Sequence, residues 1–294
     1  MDSIDTTRVP TGLRLYTLAA HRASREVIYS YSTSFGAATK LLPKPLRYHI
    51  ENIYAMVRVA DEIVDGSAAQ AGPQVDPEAE LKIFETETYR AMDSGYSTNL
   101  VLHAFAETAR LVGIGKDLVE PFFYSMRQDL TESEHNQDSF EKYVYGSAEV
   151  VGLMCLAAFV KGHNYTAEQK HELVHGARAL GSAFQKVNFL RDLSADFKRL
   201  GRSYFPGVNV ESFDEATKAR LVADIHADLA TSARALPLLP RGSRVAVTAA
   251  QLLFAELNLK IGNTTAEKLI ETRISVSDAK KLILVLRAYL GAKP

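Results

Sequence analysis

Apolar positions recur along this chain at three- and four-residue intervals, and alternating apolar–polar runs are scarce, so the pattern predicts an all-α protein. The first helix is predicted over 13–42, ended by Pro43 and Pro45, because the residue before a proline resists the α region. A second covers 46–65, with Gly66 as its stop. Residues 67–77 are small, polar and turn-rich, hence a loop. Amphipathic helices follow over 78–92, 99–111 and 116–130, the last with Pro121 in its first turns. A polar loop at 131–138 leads to a largely apolar helix over 139–161. The longest helical pattern is 167–199, and a loop with Gly201, Pro206 and Gly207 follows it to 213. Helices over 214–236, 241–260 and 277–290 complete the chain. No repeat or linker divides it, so one all-α domain over 13–294 is expected behind a flexible N-terminus over 1–12.

The helix over 46–65 breaks the usual amphipathic rule. It is apolar nearly all round, as buried helices are, yet Tyr54, Arg58, Asp61 and Asp65 fall in one stripe about 60° wide. A second stripe lies in the long helix, where Gln185, Asn188, Asp192 and Asp196 share a face about 80° wide, with Arg191 just beyond its edge. One Asp-x-x-x-Asp pair on a helix is commonplace and usually solvated. Two such pairs, each among apolar neighbours and beside other hydrogen-bonding groups, point to one cavity. Carboxylates facing one another at low dielectric repel strongly, so a cation belongs between them. Oxygen ligands without His or Cys favour Mg²⁺, which shares its shell with phosphates; a diphosphate ester is the natural guest.

Composition narrows the partners. Hydrophobic residues make up 47 % and charged residues 23 %, and the net charge is −1, so no basic field singles out nucleic acid. The single Cys155 excludes an intramolecular disulfide and fits a reducing, cytoplasmic compartment. No stretch approaches about 20 uninterrupted apolar residues, so no membrane span is expected. Residues 1–11 lack the apolar run of a signal peptide. His171 and His175 have a zinc-like spacing but no third ligand, and are expected on a solvated face.

Five segments in order resemble the squalene/phytoene synthase family, the head-to-head trans-isoprenyl diphosphate synthases. They are Tyr31-Ser-Thr-Ser-Phe35 with Leu41-Leu-Pro43, Tyr54-Ala-Met-Val-Arg58 leading into Asp61-Glu-Ile-Val-Asp65, the run from Tyr143 to Gly152, Asn188-Phe-Leu-Arg-Asp192-Leu-Ser-Ala-Asp196, and Arg202-Ser-Tyr-Phe-Pro206. The resemblance implies an isoprenoid-synthase-type helical bundle around a central cavity, coupling two allylic diphosphates through a cyclopropylcarbinyl diphosphate. It implies Mg²⁺, with Mn²⁺ as the alternative, on Asp61, Asp65, Asn188, Asp192 and Asp196. Arg58, Tyr54, Gln185, Arg191, Arg202, Tyr204, Tyr143, Phe35, Ser32 and Ser34 are implied around the substrates. Lys40, Lys44 and Arg47 are weighed as a solvated helix end. Glu149 stands where many members have Gly and is expected near the cavity. The family's late-helix tyrosine has no counterpart in 245–259, where only Gln251 and Phe254 are nearby.

The overall cast is most like bacterial phytoene synthases, which implies two geranylgeranyl diphosphates giving phytoene in carotenoid biosynthesis. The run Gly36-Ala-Ala-Thr39 is expected to leave room for the longer tail. Squalene or dehydrosqualene synthesis from farnesyl diphosphate is the rival, with NADPH needed only for squalene. A class I terpene cyclase and a non-catalytic helical assembly factor are the further alternatives, although the latter is expected to have lost some of the four aspartates. A peripheral contact with the inner face of the membrane is the expected route for product release.

Overall fold

The computed structural model describes residues 11–132, 134–200, 204–208 and 212–291, with 194–200 described by backbone alone. The N-terminal stretch expected to be flexible therefore lies almost wholly outside the described residues, and so do Arg202 and the side chain of Asp196. Helices dominate, as the apolar spacing requires. The stretch 13–42 is not one helix. It divides into α1 (Gly12–Tyr31) and α2 (Thr33–Thr39) at Ser32, whose backbone is extended (φ −140°) and whose hydroxyl accepts from the Phe35 N–H at 3.0 Å. That bond caps α2 and turns Phe35 toward the centre of the molecule.

Helix α3 (Lys44–Val64) begins with Pro45 in its first turn and stops at Gly66, whose φ of +111° is a conformation that favours glycine. Within the expected loop a single turn, α4 (Ser67–Gln70), intervenes. Helices α5 (Pro77–Ser94), α6 (Leu100–Val112) and α7 (Lys116–Thr131) follow, with Asp76 and Asn99 side chains capping the first two. Helix α8 (Gln137–Val144) opens on a capping box between Asn136 and Ser139. It continues through one wide π-helical turn, Tyr145–Glu149, into α9 (Val150–Val160). Helix α10 (Ala167–Leu200) is the longest. Helix α11 (Glu215–Ala235) is capped by Asp214 and runs into a 3₁₀ turn at Leu236–Leu238. Helices α12 (Arg241–Gly262), α13 (Ala266–Leu269) and α14 (Asp278–Tyr289) complete the bundle.

Among the described residues two large apolar cores form, beside a smaller cluster of Leu156, Leu173, Leu236 and Leu239. One gathers Ile53, Met56, Phe105, Phe122 and Met154 from α3, α6, α7 and α9. The other gathers Val187, Leu190, Ile225 and Leu257 from α10, α11 and α12. Helix α3 is fixed from behind. Asn52, fully buried, donates to the Ala104 carbonyl (3.2 Å) and the Thr108 hydroxyl (3.0 Å) and bonds the His21 ring, which in turn reaches Glu107 at 2.8 Å. The helix is thus anchored at Asn52, and the Tyr54–Asp65 stripe is presented to the gap between the two large cores. By length and composition two helices, Gln137–Val160 and Arg241–Gly262, are apolar enough to cross a membrane, a test that buried core helices also pass. Both contribute to the cores around the central cavity, and α12 carries the buried polar side chains Gln251 and Asn258.

Candidate active site

A cavity of about 750 Å³ lies between the two cores. Its two ends differ in chemistry. At one end stand Asp61, Asp65 and Arg58 from α3, with Gln185, Asn188 and Asp192 from α10. At the other the walls are Leu156, Phe159, Leu173, Leu236 and Leu239. The two stripes read from the sequence thus face one space. Tyr54, Arg191, Tyr143, Tyr204, Phe35, Ser32 and Ser34 also line it. The Ser32 hydroxyl is engaged as a helix cap. Lys40 lies over the Tyr29 ring, and Arg47 holds the carbonyls of Lys40 (2.7 Å) and Leu42 (3.0 Å), so these cations secure a helix end.

The carboxylates at the mouth are of two kinds. Enclosure by the cavity wall, with Asp65 adding to it, pushes the Asp61 carboxyl up to about 8. Arg58 opposes this only in part, because its guanidinium pairs with Glu62 and lies 4.6 Å over the Tyr31 ring. Asp192 is the converse. Burial works to raise it, but Arg191 (2.6 Å) and Arg273 (2.7 Å) hold its carboxyl below the ordinary range. Arg273, from the segment between α13 and α14, was not singled out by the sequence. Asp61 is therefore short of positive charge, and Asp192 borrows its own from two arginines. This donor set fits a hard cation shared with a phosphate. Among the described residues no three His, Cys, Asp or Glu side chains form a ready metal cage, so phosphate oxygens would have to complete the shell.

Below the mouth the walls are aromatic and aliphatic. Phe184 stacks on Phe254 at 3.8 Å and Phe35 sits 5.6 Å from Phe184. Tyr204 stacks on Phe189 at 4.0 Å, which packs Tyr204 against the cavity wall. Phe254 is the late-helix aromatic on the wall; Gln251 is buried and donates to the Leu229 carbonyl instead. Thr39 reaches the cavity at 4 % exposure. Cys155 also lines it, and burial raises its thiol to about 12, so it is an inert wall residue.

The π-helical turn decides which face of α8–α9 the cavity receives. Tyr143, Ser147, Val151, Cys155 and Phe159 line it at four-residue steps. A regular α-helix drifts about 40° per such step, and one wide turn recovers part of that drift. The turn also places Glu149 outside. Contrary to expectation, Glu149 faces away from the cavity and binds Arg178 at 2.6 Å. His171 and His175 are exposed with rings 6.3 Å apart, a surface pair as expected.

An all-α bundle enclosing a deep cavity, acidic at the mouth and hydrocarbon below, is built to hold an anionic head and an apolar tail. The chain belongs to the squalene/phytoene synthase family, whose pattern it matches over residues 28–280. This is a prenyltransferase-type family. A 15-cis-phytoene synthase from Pantoea ananas is 27 % identical over 87 % of this chain and 87 % of its own length. A chloroplastic phytoene synthase from Zea mays is 34 % identical over 66 % of this chain, which spans 44 % of that plant protein. A solved dehydrosqualene synthase superposes with a TM-score of 0.77 over 95 % of this chain and 99 % of its own, at 22 % identity, and so shares the fold.

Proposed function

We propose that this chain condenses two geranylgeranyl diphosphates head to head, through a cyclopropylcarbinyl (prephytoene) diphosphate, to phytoene, as a step of carotenoid biosynthesis in the cytoplasm. The observation that carries this reading is a single cavity with carboxylates at the mouth and hydrocarbon walls below. The phytoene synthases among its relatives favour the twenty-carbon substrate. Asp61 and Asp65 on α3, with Asn188, Asp192 and Asp196 on α10, are the residues that would hold Mg²⁺, or Mn²⁺ in its place. Bound there, the cation supplies Lewis-acid stabilisation of the departing diphosphate.

The protein's own groups do the rest. Arg58 and Arg191 offer forked donors to phosphate oxygens, and Asn188 and Gln185 orient the head group. Tyr143, Tyr204, Phe189 and the Phe35–Phe184–Phe254 cluster present ring faces to cationic carbon. Tight apolar walls exclude water that would quench it. In the first half-reaction the C–O bond breaks with its electron pair on diphosphate. The 2,3-double bond of the second substrate attacks the allylic cation, and a proton is lost as the three-membered ring closes. In the second half-reaction the other diphosphate leaves, the ring opens by rearrangement and a second proton is lost to give the linear polyene. The test is incubation with farnesyl or geranylgeranyl diphosphate and Mg²⁺, with and without NADPH, followed by product identification. Phytoene from the C20 substrate without NADPH supports the reading. A C30 product formed only from farnesyl diphosphate overturns the chain length, and a cyclic product from one substrate overturns the coupling.

A further inference from the structure

Helix α7 carries a carboxylate on its buried face. Val119, Phe122, Phe123 and Met126 recur there at three- and four-residue intervals and are buried, and Asp129 continues the series at 8 % exposure. A carboxylate so placed is costly without hydrogen-bond partners. Tyr143 supplies one: its hydroxyl lies 2.8 Å from Oδ1 and 2.9 Å from Oδ2 of Asp129. A phenol has a single proton, and both oxygens of Asp129 share it. Tyr143, 2 % exposed on the cavity wall, thus has no proton left to donate into the cavity. Phe189 and Tyr204 extend this electron-rich wall, with centroids 6.0 and 5.5 Å from the Tyr143 ring. Burial first and Asp129 second hold the phenol far above its ordinary value of 10, so the proton stays on oxygen.

We infer that Asp129 is a positioning residue: it fixes Tyr143 as an electron-rich wall for the carbocations of the coupling instead of a hydrogen-bond donor to diphosphate. The inference rests on the prenyl-coupling reading. The Asp129–Tyr143 pair is preorganised, with the phenol proton committed to the carboxylate, and it acts on charge that exists only after the leaving group departs. Its loss therefore slows turnover and spares substrate binding.

The test is steady-state kinetics of Asp129→Asn with geranylgeranyl diphosphate and Mg²⁺, in the wild-type and Tyr143→Phe backgrounds. Asparagine keeps the volume and an acceptor oxygen and removes the charge. We expect kcat to fall about tenfold or more, as for other preorganised electrostatic groups, with KM within about twofold and a larger share of cyclopropylcarbinyl diphosphate among the products. In the Tyr143→Phe background the same change costs less than about twofold, because the link is already cut. Unchanged kcat, a loss in KM alone, or an equal loss in both backgrounds overturns the inference while wild-type turnover stands. A wild-type protein that releases no diphosphate overturns the coupling reading and the inference with it. If Asp129→Asn lacks a thermal transition, Tyr143→Phe alone carries the test: it keeps ring and carboxylate, and the same kcat loss at unchanged KM is expected, with unchanged kcat overturning the inference.

Discussion

Asp61→Asn separates the stability of the bundle from its chemistry. Enclosure and the charge of Asp65 raise the Asp61 pKa from 3.8 to about 8 in the cation-free protein. In the unfolded chain the same carboxyl ionises near pH 4. Between about pH 4 and 8 the folded protein keeps a proton that the unfolded chain releases, so stability falls as pH rises, by at most about 1.4 kcal/mol per pH unit. Over about four units this gives an upper bound near 6 kcal/mol; solvent in the cavity mouth screens it to about 1–2 kcal/mol. Asparagine keeps the shape and carries no charge at any pH. In chelator at about pH 8, Asp61→Asn should melt about 2–6 °C above wild type. The gap should close toward about pH 4–5, where the aspartate is protonated in both states. Mg²⁺ with inorganic diphosphate should reverse the order, because the ionised wild-type carboxylate then has its cation and binding adds to native stability. Thermal melts across pH, in EDTA and then with both additions, read all three effects, and turnover should be lost in the variant throughout. A variant less stable than wild type at about pH 8 in chelator, or a gap independent of pH, would refute a carboxylate held under strain awaiting a cation.

Three further outcomes are expected. Thr39→Phe, placed where a buried threonine meets the cavity, should shift product length from C40 toward C30 in a mixture of both prenyl diphosphates; an unchanged distribution removes Thr39 from the length determinants. Asn52→Ala should cost about 1–3 kcal/mol in urea unfolding, since it leaves the Thr108 hydroxyl, the Ala104 carbonyl and the His21 ring short of a partner, and a loss under about 0.5 kcal/mol would show that the network does not anchor α3. At His21, burial lowers the pKa, but bonds to Glu107 and Asn52 outweigh it and the net shift is upward. The charged pair therefore stabilises the fold fully below the ordinary His value of about 6.5, and the contribution fades as pH rises through the folded value. Glu107→Gln should lower the melting temperature more at about pH 6 than at about pH 9; equal losses at both would refute a charged pair.

The sequence carries the site's two walls plainly because each wall is one helix. A 3.6-residue period converts the spacings of Tyr54, Arg58, Asp61 and Asp65, and of Gln185, Asn188 and Asp192, directly into faces. Helix ends were legible where Pro45 and Gly66 mark them. The break at Ser32 was not, because Ser30, Ser32 and Ser34 offer equivalent capping side chains and only packing selects one. The π-helical turn has no composition of its own. It is set by tertiary contact, with Gly146 against the Pro121 carbonyl and the Ser125 hydroxyl donating to the Tyr143 carbonyl at 3.1 Å. That is why Glu149 was misplaced. Arg273 lies 81 residues from its partner Asp192, in a segment without periodicity, so no local pattern points to it. Asp129 left a usable signal, a lone acid on an apolar stripe.

The seam between α9 and α10 limits how this cavity can change. A Cβ on Gly152 would lie 2.6 Å from the Ala177 carbonyl oxygen, and one on Gly181 would lie 2.5 Å from that of Ala148. The wall at these points is backbone against backbone. No side chain remains there to trim, so substitution along the seam can only narrow the chamber or push the helices apart. Room for a longer or bulkier tail has to come from the opposite walls, where Thr39, Leu42, Ile50 and Phe254 still have volume to give up. The fold thus has a rigid side and an adjustable side, and drift toward new substrates in descendants of this chain is channelled to α2, α3 and α12.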